Sequence, residues 1–525
     1  MSAPKYSIIP KPQKYEVVDG TFTVTPNTAV LCVPEFKNAA MYLCEFLRTK
    51  KDASDGAIKF NKDDSLKSEG YRLKIGSDGI IITAADARGA FYGAVTLKII
   101  IMQGKQSDGK AVLNGTDIYD YPEYEFRSGM LDESRHFFGA DAVKRLLDSM
   151  AMVKLNKFHW HLSDDQGFRI ESEQFPMLNE IGSKRKDEYL VPSGALAAVP
   201  ELKITGDEYC HYYKKSEIRE IVEYAKKLCI DIIPEIDMPG HTVALIASYK
   251  ELSCMKGDYE VNYKNGIMED ILCAGQPQTY EFIEKLMQEV CELFPYKYFH
   301  IGGDEAFYGH KIWEKDCPVC KAEIEKNSLK NGAELQELFI SRINRILNGL
   351  GKTCIEWNDG VAEKTDENII CQYWTLRGPM WLKKEMGKRK FILSPSTHFY
   401  LDMSYAHTPL KKTYNYVPPI SGNSDNILGF EFETWTEWIT DESAVQFSVY
   451  PRIFAVAELA WTRDEIRNYK DFYKRLDFFK AYMHSKNINY SRLEKRKLAI
   501  RNRSCYHLGK FGPEYRYNEK IKETE

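Results

Sequence analysis

Lys157-Phe158-His159-Trp160-His161-Leu162-Ser163-Asp164-Asp165 sets a short β-favouring run directly before an acidic end. The same pattern recurs along the chain, each run closing on polar residues. Eight runs are read, at 126–131, 157–162, 230–236, 298–302, 353–357, 369–374, 391–394 and 427–434. Stretches with helical spacing fall between several of them, at 140–154, 216–228, 280–294, 334–350 and 442–461. Strand-then-helix units in that number predict an α/β fold, a (β/α)8 TIM barrel, whose chemistry belongs at the C-terminal strand ends.

Upstream of the barrel the pattern differs. Strand-like runs at 21–24, 71–75 and 79–84 and helical spacing at 38–48 and 87–103 predict a small α+β domain, and residues 117–125 read as a linker. The expected organisation is therefore an N-terminal α+β domain over 1–122, a catalytic barrel over 123–465 and a C-terminal helical extension over 466–525. That extension begins with an amphipathic helix near 469–484 and ends in a basic tail.

The 525 residues are 43% hydrophobic and 28% charged, the balance of a globular chain with ample core. A net charge of −4, with both signs dispersed, argues against nucleic acid or an anionic membrane as partner. Met1-Ser2-Ala3-Pro4-Lys5-Tyr6 lacks a signal-peptide pattern, and no run is apolar enough for a membrane span, so a soluble chain is expected. No cofactor motif is found, and none is expected to be needed.

The strand ends carry the candidate chemistry. Arg135, in Leu131-Asp132-Glu133-Ser134-Arg135, offers a rigid fork of donors for hydroxyls or a carboxylate, or an ion pair with Asp132 or Glu133. His159 and His161 share a face and could bind a metal with Asp164 and Asp165, although a hydrogen-bonded core role is favoured for them. Pro239-Gly240 presents His241 at a loop rim. In Tyr298-Phe299-His300-Ile301-Gly302-Gly303-Asp304-Glu305 the glycines permit unusual backbone angles, so Asp304 and Glu305 can both reach one pocket. Adjacent carboxylates repel, and one can keep its proton near neutrality, as a general acid must.

Later strand ends add Trp357, Trp374, Tyr400, Asp402, Trp435 and Glu437. Aromatic walls with carboxylate, Arg and Tyr groups suit a sugar, which has apolar C–H faces and a polar rim.

Together these segments resemble glycoside hydrolase family 20, the β-N-acetylhexosaminidases. The most specific strings are the Arg135 segment, His161-Leu162-Ser163-Asp164-Asp165-Gln166-Gly167, Pro234-Glu235-Ile236-Asp237-Met238-Pro239-Gly240-His241 and His300-Ile301-Gly302-Gly303-Asp304-Glu305. The resemblance implies exo-acting, retaining removal of terminal β-linked GlcNAc or GalNAc, through an oxazoline formed by the substrate's own acetamido group. It implies Glu305 as general acid/base, Asp304 as the anion that polarises the acetamido group and Tyr400 as its oxygen's donor. Trp357, Trp374 and Trp435 would enclose the sugar, Arg135, Asp402 and Glu437 would hold outer hydroxyls, and Asp164 with His241 would tune Glu305. The implied partner is the terminal N-acetylhexosamine of oligosaccharides or glycoconjugates, and a homodimer stays open. The family's leaving-group Trp has no counterpart in 406–416, which leaves Tyr414 or Tyr416 as substitutes.

Twelve cysteines permit disulfides or simple burial. Cys317-Pro318-Val319-Cys320 has the C-x-x-C spacing of a metal or redox site, but no second pair with ligand spacing accompanies it, which argues against a structural zinc. Cys254 and Cys273 bracket a loop-like stretch and are the better disulfide candidates. They are similar to a Cys pair of the family, which implies an oxidising, extracytoplasmic location. Three alternatives stay open: a sugar-binding protein without turnover, a metal-dependent barrel hydrolase on His159, His161 and Asp164, and a retaining glycosidase with a carboxylate nucleophile.

Overall fold

Eight parallel strands close into a barrel in the computed structural model, which describes residues 5–50, 53, 57–107, 109–186, 208–264, 266–362, 364–375, 379–419 and 424–492. The strands are β1 (Phe126–Asp132), β2 (Lys157–His161), β3 (Asp231–Glu235), β4 (Tyr298–His300), β5 (Thr353–Trp357), β6 (Ile370–Tyr373), β7 (Phe391–Leu393) and β8 (Ile427–Phe432). β8 pairs with β1 through Gly429 opposite Phe126, which closes the ring. All eight predicted runs are strands, each within a few residues of its expected ends. The basic tail beyond residue 492 lies outside the described residues.

Inward side chains stack in layers, as the alternation of strand faces requires. The floor is apolar: Phe126, Ile233, Tyr298, Ile355, Ile370, Ile392 and Leu428. Above it lies a charged layer of His159, Glu235, His300 and Glu431. The mouth is aromatic, with Trp357, Tyr400 and Trp435 packed around Met130. Charge is thus buried between two apolar layers, and the Trp357 indole N–H of the mouth reaches down to Glu235 at 2.9 Å.

Two of the helices around the barrel start on side-chain caps, which satisfy backbone N–H groups at the first turn. Asn331 accepts from Glu334 N–H at 3.1 Å ahead of Gly332–Gly349, and Asn468 accepts from Asp471 N–H at 3.0 Å ahead of Tyr469–Ser485. One expectation is corrected. The helical stretch at 442–461 is two helices, Glu442–Val449 and Arg452–Trp461, because Pro451 lacks an N–H and Tyr450 is extended.

The N-terminal unit is a seven-stranded sheet backed by helices Lys37–Leu47 and Ala87–Gln103, the second capped by Asp86. Four of its strands were not read from sequence: Ala29–Cys32, Ala57–Lys62, Lys105–Ser107 and Lys110–Asp120. The last carries Asn114-Gly115, which looks like a turn. Here Gly115 faces a bulge in the neighbouring strand, where a Cβ would stand 2.4 Å from the Val18 carbonyl oxygen. The unit is locked to the barrel by Asp120, which is fully buried. Asp120 Oδ2 pairs with Lys154 Nζ at 2.8 Å and accepts from Tyr71 at 2.7 Å, while Oδ1 accepts from Trp461 Nε1 at 2.8 Å.

Candidate active site

Strand β4 ends at His300 because Gly302 and Gly303 adopt φ of +68° and +91°, a region that residues with a Cβ rarely enter. Position 302 has no room for a side chain either, since a Cβ would stand 1.7 Å from Asp237 Oδ1. The turn carries on through Glu305, itself at φ +53°, whose backbone N–H donates to Asp359 Oδ2 at 2.7 Å. Asp304 and Glu305 therefore escape the alternation of a strand and face one imidazole. His241 Nε2 lies 3.3 Å from Glu305 Oε2 and 3.7 Å from Asp304 Oδ2.

The other nitrogen of His241, Nδ1, lies 3.3 Å from both Asp164 Oδ1 and Asp165 Oδ2. Asp165 also accepts from Val243 N–H at 3.1 Å, so it fixes the His241 loop as well as the ring. Asp164 in turn is held by Arg135 Nη2 at 2.6 Å and His161 Nε2 at 3.1 Å. The structure thus brings Asp164, His241 and Glu305 into one line and adds Asp165, which the sequence reading gave no part in it.

Burial and charge divide the protons within this cluster. Burial opposes charge on His241, but Asp164, Asp165 and Glu305 outweigh it and hold the imidazole well above its ordinary value. Burial also opposes ionisation of Asp164, yet Arg135 and His241 hold it well below the usual carboxylate range. At Asp304 burial prevails. It pushes the carboxyl up to about 7 against the pull of His241, with Asp359 and Glu305 adding to the rise. Burial and the charge of Asp304 hold Asp237 well above its ordinary value.

The aromatic residues form the wall beside the carboxylates. Trp374 stacks on Tyr400 at 6.0 Å between ring centroids and 17° between planes, and Trp435 lies 5.9 Å from Trp357 and 6.3 Å from Tyr400. Indole N–H groups anchor two of them: Trp357 donates to Glu235 Oε1 and Trp374 to Asp359 Oδ1, each at 2.9 Å. Asp359 is a second residue that the sequence reading did not single out; its signal is its place two residues past the end of β5.

On the far side of the mouth Arg135 sits 5.2 Å from the Trp435 ring centroid, and Nε donates to Gln166 Oε1 at 2.8 Å. The ion pair with Asp132 is formed, at 3.1 Å, alongside the shorter one to Asp164. Glu437, half-buried, adds to the charge that favours the guanidinium, and Asp402 is buried. Tyr414 and Tyr416 are corrected as leaving-group residues. Both are core: Tyr414 donates to Glu458 and packs on Phe472, while Tyr416 packs on Phe399 and Phe430.

Two groups of potential metal ligands stand out. In the barrel, the buried Glu235 faces His159 Nε2 at 3.0 Å, His300 Nδ1 at 3.0 Å and His161 Nδ1, and all three imidazoles are buried with it. His159 Nδ1 meets Glu431 at 2.8 Å. The second group overturns two expectations. Cys254 and Cys273 are free thiols rather than a disulfide, and both join Cys317 and Cys320, which supplies the second ligand pair that spacing alone did not show.

The family model for glycosyl hydrolase family 20, catalytic domain, matches residues 124–464, and that for domain 2 of the same family matches residues 5–121. A beta-hexosaminidase of Porphyromonas gingivalis is 32% identical over 517 residues, covering 92% of this chain; the chain spans 64% of that protein's length. A beta-hexosaminidase of Vibrio furnissii is 29% identical, over 86% of this chain and 76% of its own. Among solved structures, an exo beta-N-acetylglucosaminidase from Vibrio harveyi, in complex with N-acetylglucosamine, superposes with a TM-score of 0.81 at 28% identity, covering 94% of this chain and 80% of that one.

Proposed function

The chain belongs to glycosyl hydrolase family 20, and on that premise we propose that it is an exo-acting β-N-acetylhexosaminidase that releases terminal β-linked GlcNAc or GalNAc with retention, through an oxazoline. The observation that carries the proposal is the split environment of two adjacent carboxylates. Asp304 is buried with its carboxyl raised to about 7, whereas the Glu305 side chain is 24% exposed beside His241.

In the proposed reaction the acetamido carbonyl oxygen of the bound sugar attacks C1 as the bond from C1 to the leaving oxygen breaks. Glu305 gives its proton to that oxygen. The amide becomes a cationic oxazolinium, and ionised Asp304 beside the N–H stabilises that charge more in the transition state than in the ground state. Water then attacks C1, Glu305 takes its proton and the ring reopens with net retention. An amide N–H aimed at Asp304 favours its anion over the protonated form that burial favours in the free protein.

In this reading Tyr400 donates to the acetamido oxygen while Trp357, Trp374 and Trp435 enclose the methyl group and ring, supported by the stacking of Trp374 on Tyr400 and the approach of Trp435 to Trp357. A panel of p-nitrophenyl glycosides with and without the 2-acetamido group tests the proposal. Turnover is expected only with the N-acetylated β-glycosides; comparable turnover of p-nitrophenyl β-glucoside would contradict it.

A further inference from the structure

Cys254, Cys273, Cys317 and Cys320 bring their four sulfurs within 4.8 Å of one another, beside the active-site loops but outside the catalytic cluster. The sulfur of Cys320 lies 3.7 Å from that of Cys254 and 3.6 Å from that of Cys273, and Cys273 lies 3.8 Å from Cys317. Four thiolates about 2.3 Å from a tetrahedral zinc stand about 3.8 Å apart, whereas a disulfide needs about 2.05 Å. These three distances match the edges of such a tetrahedron. We propose that these cysteines form a structural zinc tetrathiolate that clamps the loop after β3 to the segment after β4.

The surroundings favour thiolates bound to a cation. Cys317 stands at the N-cap of helix Pro318–Lys326 and Cys320 in its first turn, where the helix dipole stabilises negative charge. The Gly275 N–H is directed to the Cys273 sulfur, the kind of outer contact that orients a metal's ligands. Gly275 also has to be glycine, since a Cβ there would stand 2.6 Å from the Val319 carbonyl oxygen and 2.7 Å from the Cys320 nitrogen. The two ligand-bearing turns thus press backbone to backbone. A set of four thiolates with no oxygen ligand selects zinc over calcium, magnesium or manganese, and a four-iron cluster would hold its cysteines farther apart.

The clamp has a place in the fold. Leu272, next to Cys273, donates its N–H to the Pro239 carbonyl at 3.0 Å, two residues before His241, and accepts from Trp313 Nε1 at 3.0 Å. Zinc would therefore tie the loop that carries His241 to the segment that leads on from Glu305. It would also use both thiols of the Cys254–Cys273 pair on which an oxidising location was expected.

Elemental analysis of the intact protein, expressed with zinc in the medium and desalted, tests the site without reference to activity. One zinc per chain is expected, released as p-hydroxymercuribenzoate titrates four thiols. Cys317→Ser/Cys320→Ser should lack it. Since loss of two ligands can also unfold the chain, wild type is loaded with cobalt(II) as well, which in a tetrahedral tetrathiolate gives intense visible bands and sulfur-to-metal charge transfer. A metal-free chain, with the four thiols either reduced or joined in disulfides, would overturn the proposal, as would stoichiometric iron in place of zinc.

Discussion

The backbone N–H of Glu305 donates to Oδ2 of Asp359 at 2.7 Å, and the other oxygen of that carboxylate accepts the Trp374 indole N–H at 2.9 Å. One side chain thereby sets both the turn that presents Glu305 and an aromatic wall. Asp359→Asn keeps the shape but turns an NH2 toward one of the two donors. Loss of one such buried contact costs roughly 1–3 kcal/mol, so kcat/KM should fall about five- to 150-fold. Steady-state kinetics on a p-nitrophenyl N-acetylglucosaminide within twofold of wild type would remove Asp359 from this role.

Glu305→Gln keeps the position and removes the proton. Protonation matters most when the departing oxygen is basic. The variant should lose turnover of chitobiose almost entirely while retaining more of its rate on activated aryl glycosides. Equal loss on both would take the general acid role away from Glu305.

The raised carboxyl of Asp304 has a signature in pH. In the proposed mechanism its anion is the active form, so activity is expected to be lost as pH falls through the raised value, about 7 in the free protein. The acidic limb of kcat/KM should have a midpoint well above the ordinary 3.8, and Asp304→Asn should lack that limb. For stability the raised value acts in the opposite sense. Ionising the buried group costs the folded state increasingly as pH rises from 3.8 to about 7, so Asp304→Asn should gain Tm relative to wild type over that range and hold the gain above it. A Tm difference that does not change with pH would contradict the shift.

Glu235 is the hub of the charged layer. Burial opposes its charge, but His161, His300 and His159 hold it well below the usual carboxylate range. His161, against the same burial, is raised to about 9 by Glu235 and Asp164. The stabilisation from Glu235 is complete above 4.5 and lost as pH falls toward its depressed value. That from His161 is complete below 6.5 and lost as pH rises through about 9. Removing one partner of such a pair typically costs about 3–5 kcal/mol. Glu235→Ala should therefore lower Tm most between pH 4.5 and 6.5, and a loss independent of pH would show that packing, not charge, dominates.

The barrel was legible because each strand pairs a β-favouring run with a polar end, and the pairing is set by residues close in sequence. Lys110–Asp120 was not, because Asn114-Gly115 reads as a turn until the bulge opposite Gly115 is known. In the site, Asp304, Glu305 and His241 could be found from local breaks such as Gly302-Gly303. Asp165 and Asp359 could not be assigned, since their partners, His241 and Glu305, lie 76 and 54 residues away. The cysteine cluster was legible only in half: Cys317 and Cys320 keep C-x-x-C spacing, whereas Cys254 and Cys273 join them by tertiary approach and leave no ligand spacing in the chain.

Substrate assistance with Asp304 as its anion is the centre of the account, and a thiazoline mimic of the cyclised intermediate tests it most directly. The mimic presents the charge that Asp304 is placed to meet. It should inhibit the wild type strongly and Asp304→Asn weakly, while that substitution lowers kcat by roughly two orders of magnitude, the scale of one lost electrostatic stabiliser. An inert thiazoline, together with a sugar trapped covalently on a carboxylate by a fluorosugar, would contradict it.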